Sequence, residues 1–139
     1  MNPVDFERIL KESMARYIKA AVIDIPVVFD EDYSSLTEEL DNLNIFAVVT
    51  LGDGTISPKI YRVMGVSIYV KEDPGSVLLN QYLGRVAAKA SHLSSLPLYD
   101  GDAELLPLVV TEPNLRGVAF AVDQFRAKGL EFTLRGALT

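Results

Sequence analysis

Apolar positions along the chain switch between two periods. Over residues 3–21 the spacing is helical: Phe6, Ile9, Leu10, Tyr17, Ile18 and Ala21 form one stripe. Asn2 can cap this helix, Pro3 suits its first position, and Asp5 and Glu7 suit the positive end of its dipole. Residues 22–29 read as a strand, placed at an edge or a bent position by Pro26, which has no N–H for a ladder. A polar, acidic connection follows over 30–43. Ser35 and Glu38 in it match a capping box, so a short helix is expected there. Residues 44–51 have strand composition, Gly52-Asp53-Gly54 reads as a turn, and 52–59 as a loop.

The stretch from Ile60 to Leu93 is the most strongly patterned. Ile60, Met64, Val66, Ile68 and Val70 alternate onto one face of a long strand, interrupted by Arg62. Such a strand runs to roughly 36 Å at about 3.3 Å per residue, beyond the usual length. Asp73 and Pro74 mark a helix start, and Leu79, Tyr82, Leu83, Val86, Ala87 and Ala90 then recur at helical spacing. Residues 94–104 read as a loop. Strands are expected at 105–111, 117–126 and 130–135, separated by turns at Glu112-Pro113-Asn114 and Lys128-Gly129.

This order predicts a single α+β domain over residues 1–139. Its mostly antiparallel, mixed sheet has about five strands, with both amphipathic helices packed on one face. The other face carries Phe46, Val48, Tyr61, Val63 and Tyr69. A monomer seldom leaves so large an apolar patch in water, so cover by another subunit is expected, with loop residues of the same chain as the alternative. Arg62 either snorkels to the sheet edge or, on a sharper reading, acts across a subunit contact.

Composition adds bounds. A chain of 139 residues, 49% hydrophobic and 23% charged, can bury roughly 68–70% of its unfolded surface and build a core. The absence of cysteine removes disulfides, thiolate metal sites and thiol nucleophiles together and fits a reducing cytoplasm. No signal peptide or spanning segment is read, so a soluble protein made in the cytosol is expected. The net charge of −6 is uneven. No base lies between Lys19 and Lys59, a gap holding eight acids, whereas the remaining chain has 11 acids and 13 bases. That distribution argues against tight binding of nucleic acid.

Candidate chemistry is sparse. His92, the single histidine, falls near the end of the second helix without a positioned partner and reads as structural. Nucleophile-elbow and phosphate-loop motifs are missing. The acids Asp100, Asp102 and Glu104 are spaced like a fragment of a calcium loop but lack the rest of that pattern. Asp30, Glu31 and Asp32 are consecutive, so in an extended chain they cannot all face one ion. No catalytic, metal or cofactor site is expected.

In its order of features the chain resembles the tail terminators of long-tailed phages. The features are the first helix, Ile25-Pro26-Val27-Val28-Phe29-Asp30, the strand pair around Gly52-Asp53-Gly54, Gly65-Val66-Ser67-Ile68-Tyr69-Val70 with Pro74-Gly75 opening the second helix, and the β-rich tail from Leu105. The resemblance implies a non-catalytic virion protein, assembled in the host cytoplasm, that forms a six-fold ring on the tail tube. Such a ring ends tube growth and meets a head-side neck or connector protein, while DNA passes without specific binding. On this reading Phe46, Val48, Asp53, Tyr61, Arg62, Val63 and Tyr69 are interface candidates, and Asp30, Glu31 and Asp32 candidate channel-lining acids. The alternatives are another phage neck or tail-completion ring protein, a small ligand-binding or enzymatic α+β domain, and an adaptor that dimerises through a sheet edge.

Overall fold

The computed structural model describes residues 3–30, 39–40, 42–55, 59–122 and 125–137, without the side chains of 53, 117–122 and 137. Helix α1 spans Pro3–Ala21 and is followed by a short strand β1, Val27–Phe29. Strands β2 (Ile45–Thr55) and β3 (Lys59–Lys71) come next. A single 3₁₀ turn, Pro74–Ser76, leads into helix α2, Val77–Lys89. The chain ends with β4 (Ser95–Asp100), β5 (Ala103–Val122) and β6 (Phe125–Ala137).

Among the described residues six strands form one sheet in the order β1-β2-β3-β6-β5-β4. Only β1–β2 is parallel; the other pairs are antiparallel. The α+β class and the mixed, mostly antiparallel sheet agree with the sequence pattern, and the six described strands are compatible with the expected number of about five. The sheet curls over α1, which packs against β1 at one edge and β4 at the other. α1 buries Phe6, Ile9, Leu10, Met14, Tyr17 and Ile18. These meet Leu79, Leu83 and Val86 of α2 and the inner sheet face, including Val49, Met64, Val66, Phe132 and Leu134, in one core. The β3 alternation seen in the sequence is therefore the core face, and Ile60, Met64, Val66, Ile68 and Val70 are all buried.

Several expected turns and loops turn out to be interruptions within strands. Gly52-Asp53-Gly54 is not a turn but an irregularity in β2, where pairing with β3 shifts between Leu51 and Gly54. Glycine is required there: a Cβ on Gly54 would lie 1.8 Å from the Tyr61 carbonyl oxygen. Likewise, Glu112 and Pro113 lie where β5 slips against β6, between Thr111 and Asn114. Lys128 and Gly129 run straight through β6, paired to Ile68 and Ser67. The expected strands from 105 to 135 thus merge into two long ones, because bulges absorb residues that a ladder cannot pair.

The loop expected over 94–104 contains β4. Its hairpin closes through Gly101 and Asp102, and Gly101 takes φ 61°. Pro97 is accommodated at a register shift between Leu96 and Leu98. Conversely, only Val27–Phe29 of the strand expected over 22–29 pairs with β2; Val22 and Ile25 are buried in the turn that precedes it. The expected capping box at Ser35–Glu38 lies outside the described residues.

Asp73 secures the junction between β3 and α2. It is buried, and its carboxylate accepts hydrogen bonds from the backbone N–H groups of Leu78 at 3.0 Å and Leu79 at 2.8 Å. The expected cap is real, but it reaches past the 3₁₀ turn to the α-helix proper. That reach is set by three left-handed residues, Glu72, Gly75 and Ser76, with φ of 48°, 72° and 55°. Asp73→Ala should cost about 1–2 kcal/mol in urea unfolding, and Asp73→Asn less, since one acceptor survives. Equal losses for the two variants would show that the cap does not hold the junction.

Candidate subunit interface

The face of the sheet turned away from the helices divides into a covered and an open half. In the covered half, Phe46 stacks on Tyr69 with centroids 4.9 Å apart, and Phe125 meets Phe46 edge-on at 5.2 Å. Register explains the grouping, since Phe46 pairs with Tyr69 and Lys71 with Phe125. Leu40 and Leu43 close over this group together with Val48 and Val28. Phe46 and Val48 are consequently buried by their own chain, at 0% and 4% exposure, and Tyr69 is half-buried. Of the two covers expected for this patch, the same chain and not another subunit provides the one over Phe46, Val48 and Tyr69, through connection residues Leu40 and Leu43.

The expectation for Arg62 is corrected. It lies on the helix face, where its guanidinium makes a two-pronged pair with Glu7 of α1, at 2.7 and 3.3 Å. Its Nε–H donates to the Gly52 carbonyl at 3.0 Å. Only 7% of the residue is exposed. Arg62 therefore joins α1 to β2 and β3 within one chain and is not available to a neighbouring subunit. An arginine inside an apolar alternation marks such a pair, but only the fold identifies Glu7, 55 residues away, as its partner.

The open half holds Tyr61, Val63 and residues that sequence reading did not single out. Tyr61 is 40% exposed, and the Arg135 guanidinium sits over its ring at 4.8 Å. Arg135 also donates to Thr111 Oγ1 and to the Glu112 carboxylate, both at 3.1 Å. One polar row thus runs across β3, β6 and β5, beside the exposed Val109. Next to it lies a trough of about 310 Å³, floored by Gly52, Gly65 and Gly129 and bordered by the Arg116–Glu131 ion pair. Asp53 belongs to β2 near this surface, but its side chain falls outside the described residues.

Of the acids, Asp30 is exposed at the end of β1 and borders a small depression with Glu7 and Lys11; Glu31 and Asp32 are outside the described residues. Asp100 pairs with Arg8 of α1 at 3.3 Å. The Nδ1 of His92 accepts a 3.4 Å hydrogen bond from the Glu112 backbone N–H, supporting the β5 irregularity. Among the described residues no three His, Cys, Asp or Glu side chains converge as metal ligands.

Neither a family model nor a curated protein matches the sequence. Among solved structures, one chain that bears only a sequence identifier as its name aligns with 100% of this chain and 99% of its own length. The TM-score is 0.59 and the identity 14%, so the likeness is one of fold alone.

The Arg62 hydrogen bonds and charge hold the Glu7 carboxyl below its ordinary value. A depressed folded-state pKa contributes stability above the unfolded value of about 4.3, and that contribution is lost as pH falls through the depressed value. Since Glu7 is 39% exposed, solvent screening limits the effect. Glu7→Gln should destabilise the protein by about 1 kcal/mol at neutral pH. The deficit should shrink as pH is lowered from about 5 towards 3. Urea unfolding over that range measures it, and a deficit independent of pH would remove the ion pair as its cause.

Proposed function

We propose that this chain is a non-catalytic structural protein of a long-tailed phage, a tail terminator that forms a ring, probed most directly on tail tubes. The reading begins from the resemblance in element order. The observation that carries it furthest is the open half of the outer sheet face, where Tyr61, Val63 and Val109 leave apolar surface beside a glycine-floored trough. A flat, partly apolar surface with polar groups at its margin suits contact with another protein. The partners on this reading are further copies of the chain in a hexameric ring, the tube protein and a head-side connector protein. The site of action is the virion neck, after assembly in the host cytoplasm.

Another neck or tail-completion ring protein is the near alternative. A ligand-binding domain is the rival of a different class. It draws support from a 510 Å³ groove beside α2, a volume within the usual range of about 300–1,000 Å³ for small-molecule sites.

Purified protein mixed with tubes assembled from the tube protein encoded beside it should bind tube ends as a ring and stop elongation. Tyr61→Asp should weaken that capping without unfolding the chain, because the side chain is already part-exposed. Tubes that elongate unchanged in the presence of the protein would refute the terminator reading. We further propose that Asp30, with Glu31 and Asp32, faces the ring channel, where carboxylates keep DNA from adhering. Neutralising the three as amides should slow DNA delivery and leave ring formation intact; unchanged delivery would refute the channel role.

A further inference from the structure

Strand β5 changes partners part-way along. It pairs with β4 over residues 103–109 and with β6 only from Val109 onward. Two vacancies result, on opposite sides of one strand. Towards the hairpin turn, the β4–β5 ribbon runs beyond the last β5–β6 pair among the described residues, and Leu106 on it is 67% exposed. Leu106 and Pro107 fall where β5 slips against β4, so neither belongs to a regular pair. Towards the other end, β5 has outrun β4. The last supports on that side are the Leu93 N–H donating to the Val110 carbonyl, the Val110 N–H donating to the Ser94 carbonyl, and the Glu112 N–H donating to His92 Nδ1. From Pro113 onward no strand among the described residues pairs with that edge.

The vacant edge borders an apolar groove. Its volume is about 510 Å³, and it runs between α2 and β5, lined by Leu83, Ala87, Pro113, Leu115 and Leu130. Leu115 is 53% exposed. The helix wall contains Gly84, in the middle of α2, where a Cβ would meet no described atom within 4 Å beyond the helix's own neighbouring backbone. Glycine inside a helix is less favourable than alanine. Packing within the chain does not require it, whereas close approach by an occupant of the groove would.

An unpaired strand edge beside an apolar groove accepts an extended segment with a projecting aliphatic side chain. The chain itself carries one, in the overhanging ribbon with Leu106. We propose that copies of this chain join head to tail, with the β4–β5 ribbon of one copy seated in the α2–β5 groove of the next, Leu106 entering beside Gly84. Donor and acceptor surfaces are different, so the contact is heterologous and repeats until a ring closes. The inference rests on the ring reading above and specifies how its subunits meet.

The absence of cysteine permits a direct trap. A chain carrying both Gly84→Cys and Leu106→Cys, oxidised at high concentration, should give a ladder of multimers on a non-reducing gel that reductant collapses. An equimolar mixture of the two single variants should stop at a dimer, and neither single variant should cross-link alone to the same extent. Both positions are exposed, and unchanged thermal melting of the reduced variants confirms that the fold is kept. No ladder, or self-cross-linking of either single variant equal to that of the mixture, would overturn the contact. Sedimentation and tube capping by the unaltered protein separate the two readings. Rings without a ladder would overturn this contact and leave the terminator standing. A ladder with uncapped tubes would keep the contact and remove the terminator.

Discussion

The packing of α1 into the concave side of the sheet is the constraint on which the rest of the structure depends. Phe6, Ile9, Leu10, Met14 and Ile18 are almost completely enclosed. Full burial of one such side chain contributes about 1.5–3 kcal/mol. To enclose all of them the sheet must curl until both of its edge strands reach the helix. That curl also manages the edges. Ser13 of α1 accepts the Tyr99 backbone N–H of β4 at 2.9 Å, and Arg16 stacks on the Tyr99 ring at 3.7 Å. β1 at the opposite edge is only three residues long, a length that offers little to an incoming strand.

The same curl decides which charged and aromatic groups face inward. Arg62 occupies a position in the β3 alternation that would otherwise be apolar, and it is tolerated because Glu7 arrives on α1 to neutralise it. A second link closes the far end of the helix, where the Tyr17 hydroxyl donates to the Lys89 carbonyl at the end of α2 at 2.8 Å. A third forms at the turn after α1: Tyr82 and Arg85 of α2 donate to Asp24, holding its carboxyl below the ordinary value. With the inner face complete, the outer face is left to short cover from Leu40 and Leu43 at one end and to solvent at the other.

Much of this was legible along the chain wherever one periodicity ran unbroken. The α1 stripe, the β3 alternation and the α2 stripe each correspond to a buried face, and alternation also places Phe46 and Tyr69 on the outer face, where the β2–β3 register pairs them. The failures share a physical cause. Turns and bulges demand the same backbone freedom and tolerate the same missing N–H, so Gly52-Asp53-Gly54 and Glu112-Pro113 look alike in sequence whether the chain reverses or continues. β4 was hidden for a related reason, since Pro97 and the Asp100-Gly101-Asp102 turn dominate its short apolar alternation. The candidate surface was half legible. Tyr61 and Val63 were found by alternation, whereas Arg135, Thr111 and Glu112 meet them only through strand pairings spanning up to 74 residues.

A strand that changes partners part-way along also bears on how an acidic chain can assemble with itself. Copies with a net charge of −6 repel one another, and a contact between like surfaces would place the same acids face to face. A contact between unlike surfaces avoids that symmetry. In the proposed contact Leu106 of the donor ribbon, flanked by the exposed Glu104, would meet a mainly apolar groove, and the acidic gap between Lys19 and Lys59 contributes no residue to that groove. In that contact, screening by salt would assist approach of the copies, while burial of Leu106 against Leu83, Leu115 and Leu130 would supply an attraction that salt does not weaken. The stagger of β5 leaves one ribbon long and one edge bare among the described residues, and the proposed contact would satisfy both with a single pairing.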